Sequence, residues 1–522
     1  MKQADFPALA QGQVPQHVGT AQGSTEPKLF FDISSFLNYV LVFRNYSGIQ
    51  RVVAMVLSEM ATRVDADRLY VSYVSHRDGK HYCVRLDAIG AETFLVPTEL
   101  RRVFFSTSIN LRTLLDVRHI FRVIRDELRW LLRARPIQQL PLFALRKLGK
   151  GMASLFRRNR PATQAKPGKA RITRRKLSEV VAPGDRLILL DSTWSPIFTD
   201  AFVRAHRDGM RVYSLVHDLI PLVHPATTGG DIPRVFYNWL KNALDYTDVF
   251  LANSRSTHRD LDAFQRLYPL RKPICDLPLA QTRLKMRDDV ENRRADAPLG
   301  DIPSEYVLAR DIIPRDTHVR SAVNTPFVLC VGTNEPRKNI WRLLMAWKML
   351  VDQGLADIPR LVLAGRTGWQ CDDLKNMLHG TGHVYGYVTL IEEPSDADLE
   401  FLYRHCVFTA MPSLYEGWGL PVGETLSYGK TAVVSNTSSL PEVGQDMVEY
   451  CDPNSIESIA AAVRRLVEDP DRRLALEARI ATTPLRSWGD VTSDLLQILN
   501  APLHDMRDDP HRPSLRDAVA ET

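Results

Sequence analysis

Short apolar segments alternate with amphipathic, helix-length stretches along this chain, and the whole alternation runs twice. KLFFDIS reads as a strand from Leu29 to Ile33, and the following GIQRVVAMVLSEMATR carries Ile49, Val52, Val53, Val56 and Met60 at helical spacing. LYVSYV, RLILLD, RVYSLVHD and DVFLANS continue as compact apolar strands, which suits strands covered on both faces. FVLCVG starts the pattern again, and KNIWRLLMAWKML places Ile340, Leu343, Leu344, Trp347 and Leu350 on one helical stripe. RLVLAG, HVYGYV, VFTAM and TAVVS complete the second set of strands. Strands separated by helices predict βα units around parallel sheets, so the expected fold is α/β with two doubly wound domains.

At 522 residues the chain exceeds what one hydrophobic core serves. A polar, proline-punctuated stretch over about 285–325 reads as a linker, which gives a first domain over 26–320 and a second over 321–490. Residues 1–25 read as a disordered leader, and 491–522 as a helix with a charged tail. A basic insertion over about 101–180 interrupts the first domain, with about twenty Lys and Arg against about four acidic residues. Its middle, LRTLLDVRHIFRVIRDELRWLLRARP, supports two readings: a solvated helical hairpin with a loose loop, or a surface for anionic lipid. Nucleic acid is not an expected partner, because no recognition module is visible. The N-terminus lacks a basic start followed by an apolar core, and no run of about eighteen apolar residues occurs. The expected location is the cytoplasm, with peripheral attachment to the inner membrane face through the insertion. Six dispersed cysteines without a CxxC pair read as reduced thiols.

Chemistry concentrates in PSLYEGWGLPVGETLSYGKTAVVSNTSSLPEVG. Glu416 and Glu424 are separated by seven residues and straddle a glycine-rich turn, with Pro421 suited to the first position of a helix. Gly417 and Gly419 let the backbone approach a ligand, and a helix start offers N–H groups to an anion. This spacing puts Glu424 in the first helical turn and Glu416 on the loop before it. Either carboxylate can accept from ribose or sugar hydroxyls, although Glu424 could instead cap its helix. VGTNEPRKNI follows a strand and places Arg337 and Lys338 at the C-terminal edge of a parallel sheet, where such folds bind ligands. Cations are disfavoured at the positive end of a helix, so an anionic ligand accounts for the pair better than solvation does. A leaving nucleotide diphosphate needs such charges. Asp260 with Asp262, and Asp396 with Asp398, spell DxD, but in polar helix-like segments; they read as surface charges, and no metal is expected.

With VGTNEPRKN, LVLAGRTGW, VYGYV, PSLYEGWGLPVGE and SSLPEVG in this order, preceded by SGIQRV and VHDLIPLVHP, the chain resembles the family-4 glycosyltransferases. These are retaining enzymes of the GT-B fold, so the resemblance implies two Rossmann-like domains facing each other across a cleft. It implies that Arg337 and Lys338, beside Gly332, clamp the diphosphate of the donor. Glu424 would bind the ribose and Glu416 the donor sugar, with Gly417, Gly419 and Leu420 around them. Tyr387 and Val388 would hold the nucleobase, Gly48 would admit the diphosphate to the first lobe, and His217 would face the donor hexose. Catalytic roles thus fall on His217, Glu416, Arg337 and Lys338. Thr333, Lys430 and Thr425 depart from the residues commoner in the family at those positions.

The activity implied is transfer of a hexose from GDP-mannose or a UDP-hexose to a glycan or polyprenyl-linked glycan, as in surface polysaccharide assembly. Retention would follow from front-face attack, with no cofactor beyond the donor substrate. A nucleotide-sugar epimerase or a glycogen-phosphorylase-like enzyme shares the architecture, and a non-catalytic sugar-binding scaffold is a third reading.

Overall fold

A computed structural model of the chain describes residues 26–43, 46–75, 78–105, 173–282, 317–322 and 324–503. The leader, most of the basic insertion and of the linker, and the tail from residue 504 lie outside the described residues.

Two sheets organise the described chain. The first contains β1 (Leu29–Asp32), β2 (Leu69–Val74), β3 (His81–Arg85), β4 (Arg175–Lys176), β5 (Arg186–Leu189), β6 (Arg211–Val216), β7 (Val249–Ala252) and β8 (Ile274–Asp276). Their order is β4-β3-β2-β1-β5-β6-β7-β8, parallel apart from the edge pairings of β3 with β2 and β4. The second contains β9 (Phe327–Val331), β10 (Arg360–Ala364), β11 (Val388–Ile391), β12 (Thr409–Met411), β13 (Ala432–Ser435) and β14 (Glu449–Cys451). Its order, β11-β10-β9-β12-β13-β14, is parallel throughout. Every residue of β1, β5, β7 and β13 is buried, because helices cover both faces, as the unbroken apolar runs require. In each sheet the winding changes direction once, between β1 and β5 and between β9 and β12. Open α/β sheets bind ligands at the carboxyl ends of the strands flanking such a point.

The second lobe is held by the helix Ile340–Asp352 lying on the helix Ile456–Glu468 around Trp347, which is fully buried and donates from Nε1 to the Pro359 carbonyl at 3.1 Å. After the helix Pro470–Thr482 the chain crosses back to the first lobe. Gln281 N donates to the Arg486 carbonyl at 2.8 Å, and Arg486 Nε donates to Pro278 O at 2.9 Å. The final helix, Trp488–Asn500, then buries Trp488, Val491, Leu495 and Leu499 in the same core as the helix Gly48–Met60. A domain boundary at residue 490 therefore cuts a helix that packs on the helix Gly48–Met60 of the first lobe.

One strand reading fails. HVYGYV has the composition of a strand, but Gly382–Tyr385 forms a short turn in which His383, Val384 and Tyr385 all have positive φ. The strand begins only at Val388.

Candidate functional site

The loops after β9 and β12 meet at the winding change of the second sheet. Gly332 leaves β9 with φ of 145°, a value that favours glycine, and a Cβ on Gly365 would lie 1.9 Å from the Gly332 carbonyl oxygen. The turns after β9 and β10 are thus pressed together. Pro336–Lys338 then forms a single tight helical turn before the long helix, and Asn339 ties it down, donating to Pro412 O at 2.9 Å and Pro453 O at 2.7 Å.

This turn delivers both cations to Glu416. Lys338 Nζ lies 2.8 Å from Glu416 Oε1 and Arg337 lies 2.5 Å from Oε2, while Arg337 also reaches Glu335 Oε1 at 2.6 Å and Tyr415 O at 2.9 Å. Burial alone would raise the Glu416 pKa, but Arg337 and Lys338 pull it down to about 2. Burial works against the Arg337 charge in turn, and Glu416 and Glu335 more than restore it. The loop bearing Glu416 is itself fixed: Glu416 N donates to the Ser438 hydroxyl at 2.9 Å, and the Ser439 hydroxyl donates to Glu416 O at 3.0 Å and Trp418 O at 2.9 Å.

Glu424 occupies the fifth position of the helix Leu420–Ser427, one residue deeper than its spacing suggested, and it does not cap that helix. Gly419, at φ 108°, precedes the helix and Pro421 opens it. The Glu424 carboxylate accepts from the Tyr403 hydroxyl at 2.9 Å and from Arg51, in the first lobe, at 3.3 Å. Arg51 also pairs with Asp396. Burial raises the Glu424 pKa and Arg51 opposes it, so a guanidinium from one lobe favours the charged form of a carboxylate in the other.

The facing edge of the first lobe supplies His217 and Asp218 at the end of β6. His217 Nε2 donates to the Leu190 carbonyl at 2.7 Å, and burial lowers its pKa to about 4, so the ring is neutral near pH 7. Asp218 accepts from Ile220 N at 3.0 Å; burial raises it to about 6 against the pull of Arg337. Contact between the lobes is intimate. A Cβ on Gly417 would lie 1.9 Å from the His217 carbonyl oxygen, and one on Gly48 would lie 3.2 Å from Leu420 Cδ1. Glu442 accepts from Arg255 N at 2.9 Å and Ser256 N at 3.0 Å, and the Tyr415 hydroxyl donates to Asp260 at 2.5 Å.

Arg337, Lys338, Glu416, Gly332, Gly417, Gly419, Leu420, Glu424, His217 and Gly48 therefore gather where the two lobes meet. Tyr387 and Val388 do not. They start β11, at the end of the sheet remote from the cleft, with Tyr387 O bonded to Leu361 N at 2.9 Å. The segment that reaches the cleft edge is the loop after Ile391, where Glu393 has positive φ and Ser395 opens the helix Asp396–His405. The DxD aspartates also need correction. Asp260 bonds Tyr415 across the cleft, Asp396 pairs with Arg51, and Asp398 completes a capping box with Ser395; none of these three is merely a solvated charge. Arg51, Asp218 and Glu335 were missed as site residues, although each lies inside a motif already singled out, SGIQRV, VHDLIP or VGTNEPRKN.

Known proteins share the fold that carries these residues. Anabaena Alr3699/HepE in complex with UDP-glucose has a similar structure, with a TM-score of 0.51 and 13% identity over 91% of this chain and 99% of that one. The fold is thus the two-lobed GT-B fold of glycosyltransferases. Residues 316–482 match the family Glycosyl transferases group 1, and this segment is a group 1 glycosyl transferase domain. The chain is 36% identical over 176 residues to O-antigen chain mannosyltransferase B of Escherichia coli, covering 34% of this chain and 45% of that relative. It is 27% identical over 278 residues to the serotype-specific mannosyltransferase WbdA of Escherichia coli, covering 52% of this chain and 31% of that protein. The chain spans less than half the length of these curated relatives. Among the described residues no helix is long and apolar enough to cross a membrane.

The contact of Gly417 with His217 leaves no room for a methyl group. Gly417→Ala is expected to hold the lobes apart, giving a larger radius of gyration by small-angle scattering with unchanged circular dichroism. An unchanged radius would show that the contact does not set the lobe spacing.

Proposed function

We propose that the chain is a retaining hexosyltransferase that uses a nucleotide-diphosphate sugar and a glycan or lipid-linked glycan acceptor. GDP-mannose is the first choice of donor and a UDP-hexose the second. The observation that carries this reading is the convergence of Arg337 and Lys338 on Glu416 at the winding change of the second sheet, with Glu424 on the adjoining helix. The names of the relatives, mannosyltransferases of O-antigen chains, support mannose and a surface polysaccharide.

In this reading a diphosphate competes with Glu416 for the two cations. Once it takes them, the Glu416 carboxylate turns to the hydroxyls of the hexose. Glu424, whose charged form Arg51 favours against burial, accepts from the ribose. As the glycosidic bond breaks, negative charge grows on the departing phosphate, and each preorganised cation contributes on the order of 3 kcal/mol to the transition state. Front-face attack lets that phosphate take the acceptor hydroxyl proton as the new bond forms on the same face. Asp218 favours a second route, because it brings to the cleft the first-lobe carboxylate that a double displacement requires.

Two experiments test these steps. Lys338→Ala and Glu416→Ala are each expected to lower sugar transfer by about a hundredfold or more, with circular dichroism unchanged; wild-type turnover in either variant would overturn the assignment. Incubation with a 2-deoxy-2-fluoro donor separates the routes. Front-face attack predicts no covalent adduct by intact-protein mass spectrometry, whereas a hexosyl adduct lost in Asp218→Asn would establish the double displacement.

A further inference from the structure

The second lobe uses its winding change for the cations and Glu416, and the first lobe has a winding change of its own, between β1 and β5. Two acidic side chains stand at the carboxyl ends of those strands. Asp32, closing β1, is fully engaged: it accepts from Ser34 N and Ser34 Oγ at 3.0 Å each and from Ser72 Oγ at 3.4 Å, and it lies 3.1 Å from His81 Nε2. Asp191, two residues beyond β5, is only half engaged. Its Oδ1 accepts from Gln50 Nε2 at 3.1 Å, Ser192 N at 2.6 Å and Ser192 Oγ at 3.3 Å. Its Oδ2 is buried and has no hydrogen-bond partner among the described residues.

The surroundings place Asp191 beside residues that meet the opposite lobe. Leu190, the residue before Asp191, supplies the carbonyl that fixes the His217 ring. Gln50 lies in the first turn of the helix that begins at Gly48, against Leu420 of the opposite lobe, and its amide is oriented by the Ser47 hydroxyl. A buried carboxylate oxygen calls for a donor. Burial raises the Asp191 pKa to about 6, and Asp32 adds to the rise. A carboxylate oxygen accepts from a neutral hydroxyl and repels a phosphate.

We propose that Asp191 Oδ2 accepts a hydrogen bond from a sugar hydroxyl of the acceptor, making the β1/β5 edge beside His217 the acceptor subsite. This rests on the glycosyltransferase reading and extends it to the other substrate. Sugar hydroxyls come from two sources, the acceptor and the donor hexose, and kinetics tell them apart.

Asp191→Asn is the informative change. Gln50 and Ser192 both donate to Oδ1, so the amide oxygen of the variant stays on that side and its NH2 replaces Oδ2, presenting a donor where the hydroxyl needs an acceptor. With GDP-mannose and octyl α-mannoside as probes, the acceptor KM is expected to rise about tenfold to a hundredfold, the effect of losing one hydrogen bond to a charged group. The partition of donor between water and mannoside should shift toward water, and thermal stabilisation by GDP should persist. An unchanged acceptor KM would overturn the proposal. So would an equal rise in donor KM, which assigns the oxygen to the donor hexose, or loss of GDP stabilisation, which marks Asp191 as a support for the helix start. Failure of the transferase reading itself would show separately, as wild-type protein that neither transfers nor hydrolyses GDP-mannose or UDP-glucose.

Discussion

Two cations and a carboxylate, all largely removed from water, hold the centre of this molecule together. Arg337 and Lys338 both reach Glu416; burial works against the charges of Glu416 and Arg337, and their mutual pairing opposes it. Such clusters are a poor source of stability, since desolvation consumes most of the Coulombic gain, and an apolar set of similar volume often serves as well. Their value lies in preorganisation. Positive charge is held in place at the carboxyl edge of a parallel sheet, where open α/β folds bind their ligands.

The rest of the architecture sets this cluster against the first lobe. The glycine at 417 brings the loop of Glu416 against the end of β6, and Arg51 joins the first lobe to Glu424. Neither lobe contains the whole site. Returning the last helix, Trp488–Asn500, to the first lobe ties the two lobes through a second crossing of the chain. Such double connection suits a hinge that closes and opens without losing register.

Much of this was legible in the order of residues. Strands buried on both faces leave unbroken apolar runs, so both sheets were recoverable from RLILLD, FVLCVG and their like. Arg337 and Lys338 stood out because a helix start is an unfavourable place for two cations. HVYGYV was misread because apolar content does not reveal that three successive residues adopt positive φ, and Tyr387 and Val388 consequently fall at the start of β11. Arg51 and Glu424 meet across 373 residues of sequence, a separation over which no local pattern carries information. Asp191 was counted as the end of a strand, and only the burial of its second oxygen without a partner among the described residues distinguishes it from Asp32.

The competition proposed between Glu416 and a diphosphate for the same two cations is open to direct measurement. Isothermal titration of GDP and UDP into wild-type protein and into Glu416→Gln compares the two anions at one site. Tighter nucleotide binding by the variant is expected, because the glutamine releases both cations to the ligand. Equal or weaker binding would contradict the assignment of Arg337 and Lys338 as the diphosphate site.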